Sequence, residues 1–145
     1  MSDQQVSGIV LLVEDEPLVR LVTAEILADA GFRVIEAAGA EEALKVLKAG
    51  VEVDVLLSDV EMPPGMNGYG LAWEIHRLHP EVAILMTSGR EWPGQNDLPP
   101  GAAFLAKPCP NGMLVAHVQS AAHRVREARL RLKLESGPDP AARTA

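Results

Sequence analysis

Four charged side chains in this chain stand directly after short apolar runs, and as a set they could carry out phosphate chemistry. They are Glu14, Asp15, Asp59 and Lys107. Parallel strands bring their carboxyl ends to one edge of a sheet, so groups distant in sequence can converge there. Clustered carboxylates raise one another's pKa unless a cation lies among them, and an all-oxygen set of ligands suits Mg²⁺.

A hydroxyl residue, Thr87, follows another apolar run and completes the set. In this reading the Asp59 carboxylate is the nucleophile, while Thr87 and Lys107 donate to an anion bound beside the metal. These are the parts that phosphoryl transfer requires. Taken alone, Asp59 would be interpreted as a capping residue between a strand and a loop. The groups at the other strand ends favour the chemical interpretation.

Five apolar runs predict strands, several of them buried on both faces of a parallel sheet. The runs are residues 8–13, 32–36, 55–59, 82–86 and 102–106. Segments with helical spacing of apolar residues lie between most of them, with Pro17 at the start of the first and Gly31 at its end. The alternation predicts an α/β fold with a doubly wound, five-stranded parallel sheet.

Two segments depart from a regular alternation. Residues 90–101 contain three prolines and two glycines, so we expect the fourth helix to be short or missing. The last helix begins near Asn111 and is predicted to run on to about Leu134. Its apolar residues advance by four and three alternately, a pattern that we interpret as a seam for packing against another helix. The seam is Leu114, Val118, Ala121, Val125, Ala128 and Leu132.

Composition limits the classes of function. The chain has 145 residues, 48% of them hydrophobic, which suits one domain, and its net charge of −7 argues against binding nucleic acid directly. The polar N-terminus lacks the features of a signal peptide, and no apolar run is long enough to span a bilayer. With a single cysteine, Cys109, no internal disulfide can form. We therefore expect a cytoplasmic protein without a membrane partner.

Four segments, taken together, resemble the receiver domains of two-component response regulators. Their order and spacing agree with that family over residues 7–125. The segments are Val10–Glu16, Asp59–Pro63, Met86–Gly89 and Phe104–Pro108. The resemblance implies a flavodoxin-like sheet with strand order 2-1-3-4-5.

The resemblance also implies a role for each site residue. Asp59 would be phosphorylated by a sensor histidine kinase or a phosphotransfer protein, and Thr87 and Lys107 would contact the phosphoryl group. Thr87 would also belong to the activation switch. The ligands implied for Mg²⁺ are Glu14, Asp15, Asp59 and the main-chain carbonyl of Glu61. Phe104 corresponds to the aromatic switch residue, and the Lys107–Pro108 bond to one that is usually cis.

These inferences predict three parts of the chain: a disordered N-terminus (1–6), a receiver domain (7–125), and a helix extension with a disordered tail (126–145). We expect no enzymatic turnover, but phosphorylation that switches binding to a downstream protein, with a homodimer through the last helix as one form of output. The alternative is a phosphatase or phosphotransferase that uses Asp59 on small substrates. Dehalogenase-type enzymes place a second Asp two residues after the nucleophile, where this chain has Glu61.

Overall fold

The computed structural model describes residues 7–62, 67–90 and 92–136, which form one five-stranded sheet and four helices. All strand pairs are parallel, and the strand order is β2-β1-β3-β4-β5. This confirms the doubly wound, flavodoxin-like fold. The strands are β1 (Gly8–Val13), β2 (Phe32–Ala37), β3 (Val55–Asp59), β4 (Ala83–Ser88) and β5 (Ala103–Ala106). The helices are α1 (Pro17–Asp29), α2 (Ala40–Lys48), α3 (Gly68–Leu78) and α4 (Asn111–Ser136).

Helices cover both faces of the sheet, which explains why its central strands are apolar at nearly every position. Leu11 and Leu56 pack on the face covered by α2 and α3, and the alternate residues Leu12 and Leu57 pack on the face covered by α1 and α4. The edge strand β2 is less completely buried and exposes Glu36. All five strands end at the same edge of the sheet.

The segment between β4 and β5 contains no helix among its described residues. It folds instead around Asp97, whose carboxylate accepts a hydrogen bond from Gly94 N at 2.6 Å. The Trp73 indole on α3 donates to the Asp97 carbonyl at 3.1 Å, and the Trp92 ring lies 5.2 Å from the ring of Phe104. The predicted loss of the fourth helix is confirmed, and the loop that replaces it has contacts with α3 and β5.

Helix α4 has 26 residues, which corresponds to a length of about 39 Å. The first four residues of its predicted seam are buried: Leu114, Val118, Ala121 and Val125. The first three of them pack with side chains of α1 and the sheet. The spacing therefore serves packing inside the domain, mainly against the sheet and in part against α1, and these four residues are covered there. Beyond Val125 the seam emerges from the core, and Leu132 is 63% exposed.

The outer half of α4 is attached to the opposite edge of the sheet from the strand ends. Asp54, which is only 2% exposed, accepts a hydrogen bond from Ile9 N at 2.8 Å. It forms ion pairs with Arg126, at 3.3 Å, and with Arg129. Arg129 also donates to the Val53 carbonyl at 2.9 Å. These contacts fix the direction of the helix where it leaves the core.

Two expectations fall on residues outside the described ranges: the disordered N-terminus and the disordered tail after residue 136. None of the described helices combines the length and the apolar character needed to cross a lipid bilayer.

Candidate functional site

Three carboxylates meet where β1 and β3 end side by side. Glu14, Asp15 and Asp59 can each direct one oxygen so that these atoms all lie within 4.8 Å of one another. Glu14 and Asp59 are buried, at 6% and 8% exposure, while Asp15 is the most accessible of the three. The sequence-based expectation that these residues converge is therefore met.

A lysine from beyond β5 completes the cluster. The Lys107 ammonium lies 3.3 Å from Asp59 Oδ2 and 3.6 Å from Glu14 Oε1. Its own main chain is fixed by a hydrogen bond from Lys107 N to the Ser88 carbonyl at 2.9 Å. The following bond, Lys107–Pro108, is cis, as the resemblance implies. The lysine ammonium thus contacts two of the three carboxylates.

The electrostatic balance leaves this cluster short of positive charge. Burial raises the pKa of Asp59 above its ordinary value, and the nearby Lys107 only partly opposes that shift. Burial likewise raises the pKa of Glu14, against the Glu16 amide and Lys107. Glu16 N donates to Glu14 Oε2 at 3.1 Å. A divalent cation at this position would relieve the cost of ionising both groups.

The remaining predicted site residues lie around Asp59. Thr87 is its direct partner across the β3–β4 pairing, and the Thr87 hydroxyl donates to the Ser58 carbonyl at 3.4 Å. Glu61 N donates to Asp59 Oδ1 at 3.4 Å. The structure therefore brings Thr87 and the main chain of Glu61 next to the carboxylate cluster.

Two residues near the site were not identified from the sequence. Ser88 donates through its hydroxyl to Glu61 Oε2 at 2.6 Å. Gly68 begins α3 so close to β3 that a Cβ atom there would lie 2.3 Å from the Asp59 carbonyl oxygen and 2.6 Å from Met86 Cε. The glycines at positions 65, 68 and 70 were a sequence signal for such a close approach. The consecutive hydroxyl residues at positions 87 and 88 were the signal for Ser88.

Phe104 lies apart from the carboxylate cluster. It is half-buried beside the core between the sheet, α2 and α3, pairs in register with Met86 and stacks at a tilt on Trp92. It is thus one strand position from Thr87 along the register and borders the loop that replaces the fourth helix. No contact in the described structure assigns it a switch role.

An apolar groove of about 410 Å³ runs from the carboxylates between α1 and the start of α4. Helix α1 packs on the core through Ala24 and Leu27, whereas Leu18 and Val22 nearer the site are 71% and 48% exposed. The groove also includes the half-buried Cys109. An accessible apolar surface therefore adjoins the buried charges.

This arrangement can bind a divalent cation and stabilise an anion beside it. The donor set is all oxygen, which is what Mg²⁺ prefers, and burial raises the pKa of Asp59 and of Glu14 although Lys107 lies nearby. Lys107 and Thr87 supply donors on the other side of Asp59. The residues present therefore fit Mg²⁺ and a phosphoryl group.

Comparison with known proteins shows which family the chain resembles. The sequence profile described as "Response regulator receiver domain" matches residues 10–119. The chain is 40% identical over 111 residues to the sensor kinase CckA of Brucella abortus, covering 74% of this chain and 12% of that protein. It is 31% identical over 129 residues to the transcriptional regulatory protein PdtaR of Mycobacterium tuberculosis, covering 87% of this chain and 62% of PdtaR. The chain thus spans less than two thirds of each of these relatives.

Solved structures show the same fold. The receiver domain of the hybrid histidine kinase CckA superposes with a TM-score of 0.68 at 34% identity, covering 79% of this chain and 99% of that domain. A CheY-like receiver domain protein from Methanospirillum hungatei superposes with a TM-score of 0.75 at 24% identity, covering 86% and 99%. The second likeness supports the fold alone.

Proposed function

The chain belongs to the response regulator receiver domains, and on that basis we propose that Asp59 accepts a phosphoryl group from a histidine kinase or a phosphotransfer protein. The observation that supports this most is the position of Asp59 between two further carboxylates and the Lys107 ammonium. Glu14, Asp15 and Asp59 are the group of three potential metal ligands found among the described residues. It also borders an accessible groove through which a donor can approach.

Transfer to Asp59 joins one of its carboxylate oxygens to phosphorus, while the bond from phosphorus to the donor nitrogen breaks. The charge on the transferred group is spread over its three outer oxygens, so fixed positive charge and hydroxyl donors stabilise it. Lys107 would release Asp59 and pair with the phosphoryl group, and the Thr87 hydroxyl would leave the Ser58 carbonyl to donate to it. Both changes exchange partners that already lie at the site.

We assign the metal ligands to Glu14, Asp15, Asp59 and the main-chain carbonyl of Glu61. When bound, Mg²⁺ neutralises charge on the carboxylates and on the incoming phosphoryl oxygens. Burial of Glu14 and Asp59 supports this assignment. Burial makes the ionised form of each carboxyl group costly, and a bound divalent cation would offset that cost.

The donor would dock on the first turns of α1 and the adjoining groove. Exposed apolar residues lie on that helix close to the site. They are Leu18, Val19, Leu21 and Val22. An apolar helix surface beside a buried nucleophile suits a helical partner that presents a phosphorylated side chain, since docking would remove the apolar surface from water and cover the reaction.

The output would leave through two regions, and here we propose the division into a receiver domain at 7–125 and an extension from 126 onward. The first region is the loop between β4 and β5, with Phe104 at its base. The second is the end of α4, where Leu130, Leu132 and Leu134 are exposed. We propose that this end binds a downstream protein or a second copy of the chain, and that the chain turns over no substrate of its own.

Stoichiometry of labelling tests the proposal. With acetyl phosphate and Mg²⁺, a receiver takes up one phosphoryl group per chain, releases it slowly and consumes little donor over many hours. An Asp-dependent phosphatase would consume donor continuously, in great excess over protein. Intact mass of the protein together with inorganic phosphate release separates the two, and continuous turnover that depends on Asp59 would contradict the proposal that the chain turns over no substrate.

A further inference from the structure

The contact between Ser88 and Glu61 lies beside the proposed metal site but takes no part in the mechanism above. Ser88 is only 2% exposed, and its hydroxyl donates to Glu61 Oε2 at 2.6 Å. Arg90 N in turn donates to the same hydroxyl oxygen at 3.2 Å. The Ser88 hydroxyl thus donates to Glu61 and accepts from Arg90 N, which a hydroxyl group can do at the same time.

The main chain at Glu61 lies outside the regular sheet. The pairing of β3 with β4 ends at Asp59 and Thr87, and one further bond, from Val60 N to the Thr87 carbonyl at 2.9 Å, extends it. Among the described residues, the partner of Glu61 N is Asp59 Oδ1, at the long distance of 3.4 Å. The contact of its side chain with Ser88 therefore ties residue 61 back to β4, at the point where its carbonyl would be needed as a ligand.

We infer that Ser88 is a positioning residue for the metal site, which acts by holding Glu61 so that its main-chain carbonyl faces the carboxylate cluster. The inference rests on the proposed function, since it assumes that the cluster binds Mg²⁺. It adds a role for the Glu61 side chain and for a serine of the neighbouring strand. Partners of this kind, which orient ligands without touching the metal, typically change metal affinity by about tenfold or more when removed.

A double-mutant cycle on Mg²⁺ affinity tests this role. Ser88→Ala removes the hydroxyl without changing the charge of the site, and Glu61→Ala removes the group on which it acts. We expect Ser88→Ala to weaken Mg²⁺ binding about tenfold in the otherwise unchanged protein and to have no further effect in the Glu61→Ala background. Glu61→Gln keeps an acceptor oxygen for Ser88. In that background, Ser88→Ala should therefore weaken Mg²⁺ binding more than it does in the Glu61→Ala background. Ser120→Ala, at an exposed position on α4, is the control.

Hydrogen exchange gives a second measurement in the metal-free protein. If Ser88 holds residue 61, Ser88→Ala should speed exchange at the Glu61 and Met62 amides while the amides of β1 keep their protection. An unchanged Mg²⁺ affinity, or an equal loss in both backgrounds of the cycle, would overturn the inference. A wild-type protein that binds no Mg²⁺ would instead overturn the proposed metal site and this inference with it, so the two failures are distinguishable.

Discussion

Asp59 ends β3 and Lys107 follows β5, two strands that are not neighbours, yet the lysine ammonium lies 3.3 Å from Oδ2 of Asp59. Strand β4 separates them in the sheet, so the lysine side chain reaches across the position of Thr87. In the metal-free protein this ion pair supplies the counter-charge of the nucleophile. We propose that phosphorylation changes the partner of Lys107 and that this exchange couples the chemical event to the conformation.

Replacement of the lysine tests that coupling. Lys107→Ala should leave Mg²⁺ binding nearly intact, because the ligands are the carboxylates, but it should weaken the conformational response to phosphorylation. Hydrogen exchange of residues 92–101, with and without the phosphoryl mimic beryllofluoride, measures the response. Lys45→Ala, on α2 away from the site, is the control. A variant with the full response would show that Lys107 does not transmit the change.

Acidification should release the metal at a pH above the range in which ordinary carboxyl groups become protonated. The pKa of Asp59 is raised from 3.8 and that of Glu14 from 4.5, in both cases mainly by burial. Protons therefore compete with Mg²⁺ at a higher pH than at an exposed acidic cluster. Mg²⁺ titrations at a series of pH values should show affinity falling as the pH drops through that raised range. An affinity that stays constant down to pH 4.5 would contradict it.

The same shifts predict how stability depends on pH. A carboxyl whose pKa is higher in the folded state binds more protons when folded, so the stability of the metal-free protein falls as pH rises through the window between the unfolded and folded values. Asp59→Asn removes this contribution. We expect a higher Tm than wild type at pH 7 without Mg²⁺, and a smaller difference near pH 4. A lower Tm at pH 7 would contradict the prediction.

The attachment of α4 should contribute strongly to stability. Replacement of Arg126 and Arg129 by Met would leave the buried Asp54 carboxylate without its cationic partners, and loss of partners for a buried charge costs about 3–5 kcal/mol. Urea denaturation measures this free energy. Arg124→Met, with an exposed arginine on the same helix, should change the free energy of unfolding by less than about 0.5 kcal/mol. An equal change in the free energy of unfolding for the double replacement and for Arg124→Met would refute the role of Asp54.

Most of the fold and the site could be predicted from the sequence because they depend on local patterns. Apolar runs ending in Glu14, Asp59 and Lys107 fix strands, direction and the converging edge together. A four-three spacing fits a sheet face as well as a helix, so it could not show that α4 packs mainly on the sheet of its own domain and in part on α1. The contacts of Ser88 and Asp54 depend on pairs distant in sequence, which no local pattern encodes.

The loop between β4 and β5 is predicted to gain protection on phosphorylation. Its proline and glycine content opposes helix formation, with an interior proline costing about 3 kcal/mol, and it is held by the bond from Trp73 to the Asp97 carbonyl and by the stacking of Trp92 on Phe104. Hydrogen exchange of residues 92–101 should be faster without beryllofluoride than with it. Strong protection in both states would show that the loop is a rigid part of the domain.

The end of α4 should matter for binding and not for chemistry. Leu130, Leu132 and Leu134 are exposed, and this part of α4 leaves the core at the edge of the sheet opposite the strand ends, so their joint replacement by Gln should leave phosphorylation of Asp59 unchanged. Self-association, measured by analytical ultracentrifugation with and without beryllofluoride, and capture of a downstream partner should both be lost. Variants that behave like wild type in both assays would exclude this end as the output surface.

The most direct test of the account is whether Asp59 takes up phosphate in a Mg²⁺-dependent way. Wild-type protein, Asp59→Asn and the control Asp29→Asn, an exposed acid at the far end of α1, are each incubated with acetyl phosphate, with Mg²⁺ or with EDTA. Intact mass should show one added phosphoryl group on wild type and Asp29→Asn with Mg²⁺, and none with EDTA or on Asp59→Asn. Labelling of Asp59→Asn to the wild-type extent, or labelling that survives EDTA, would contradict the account.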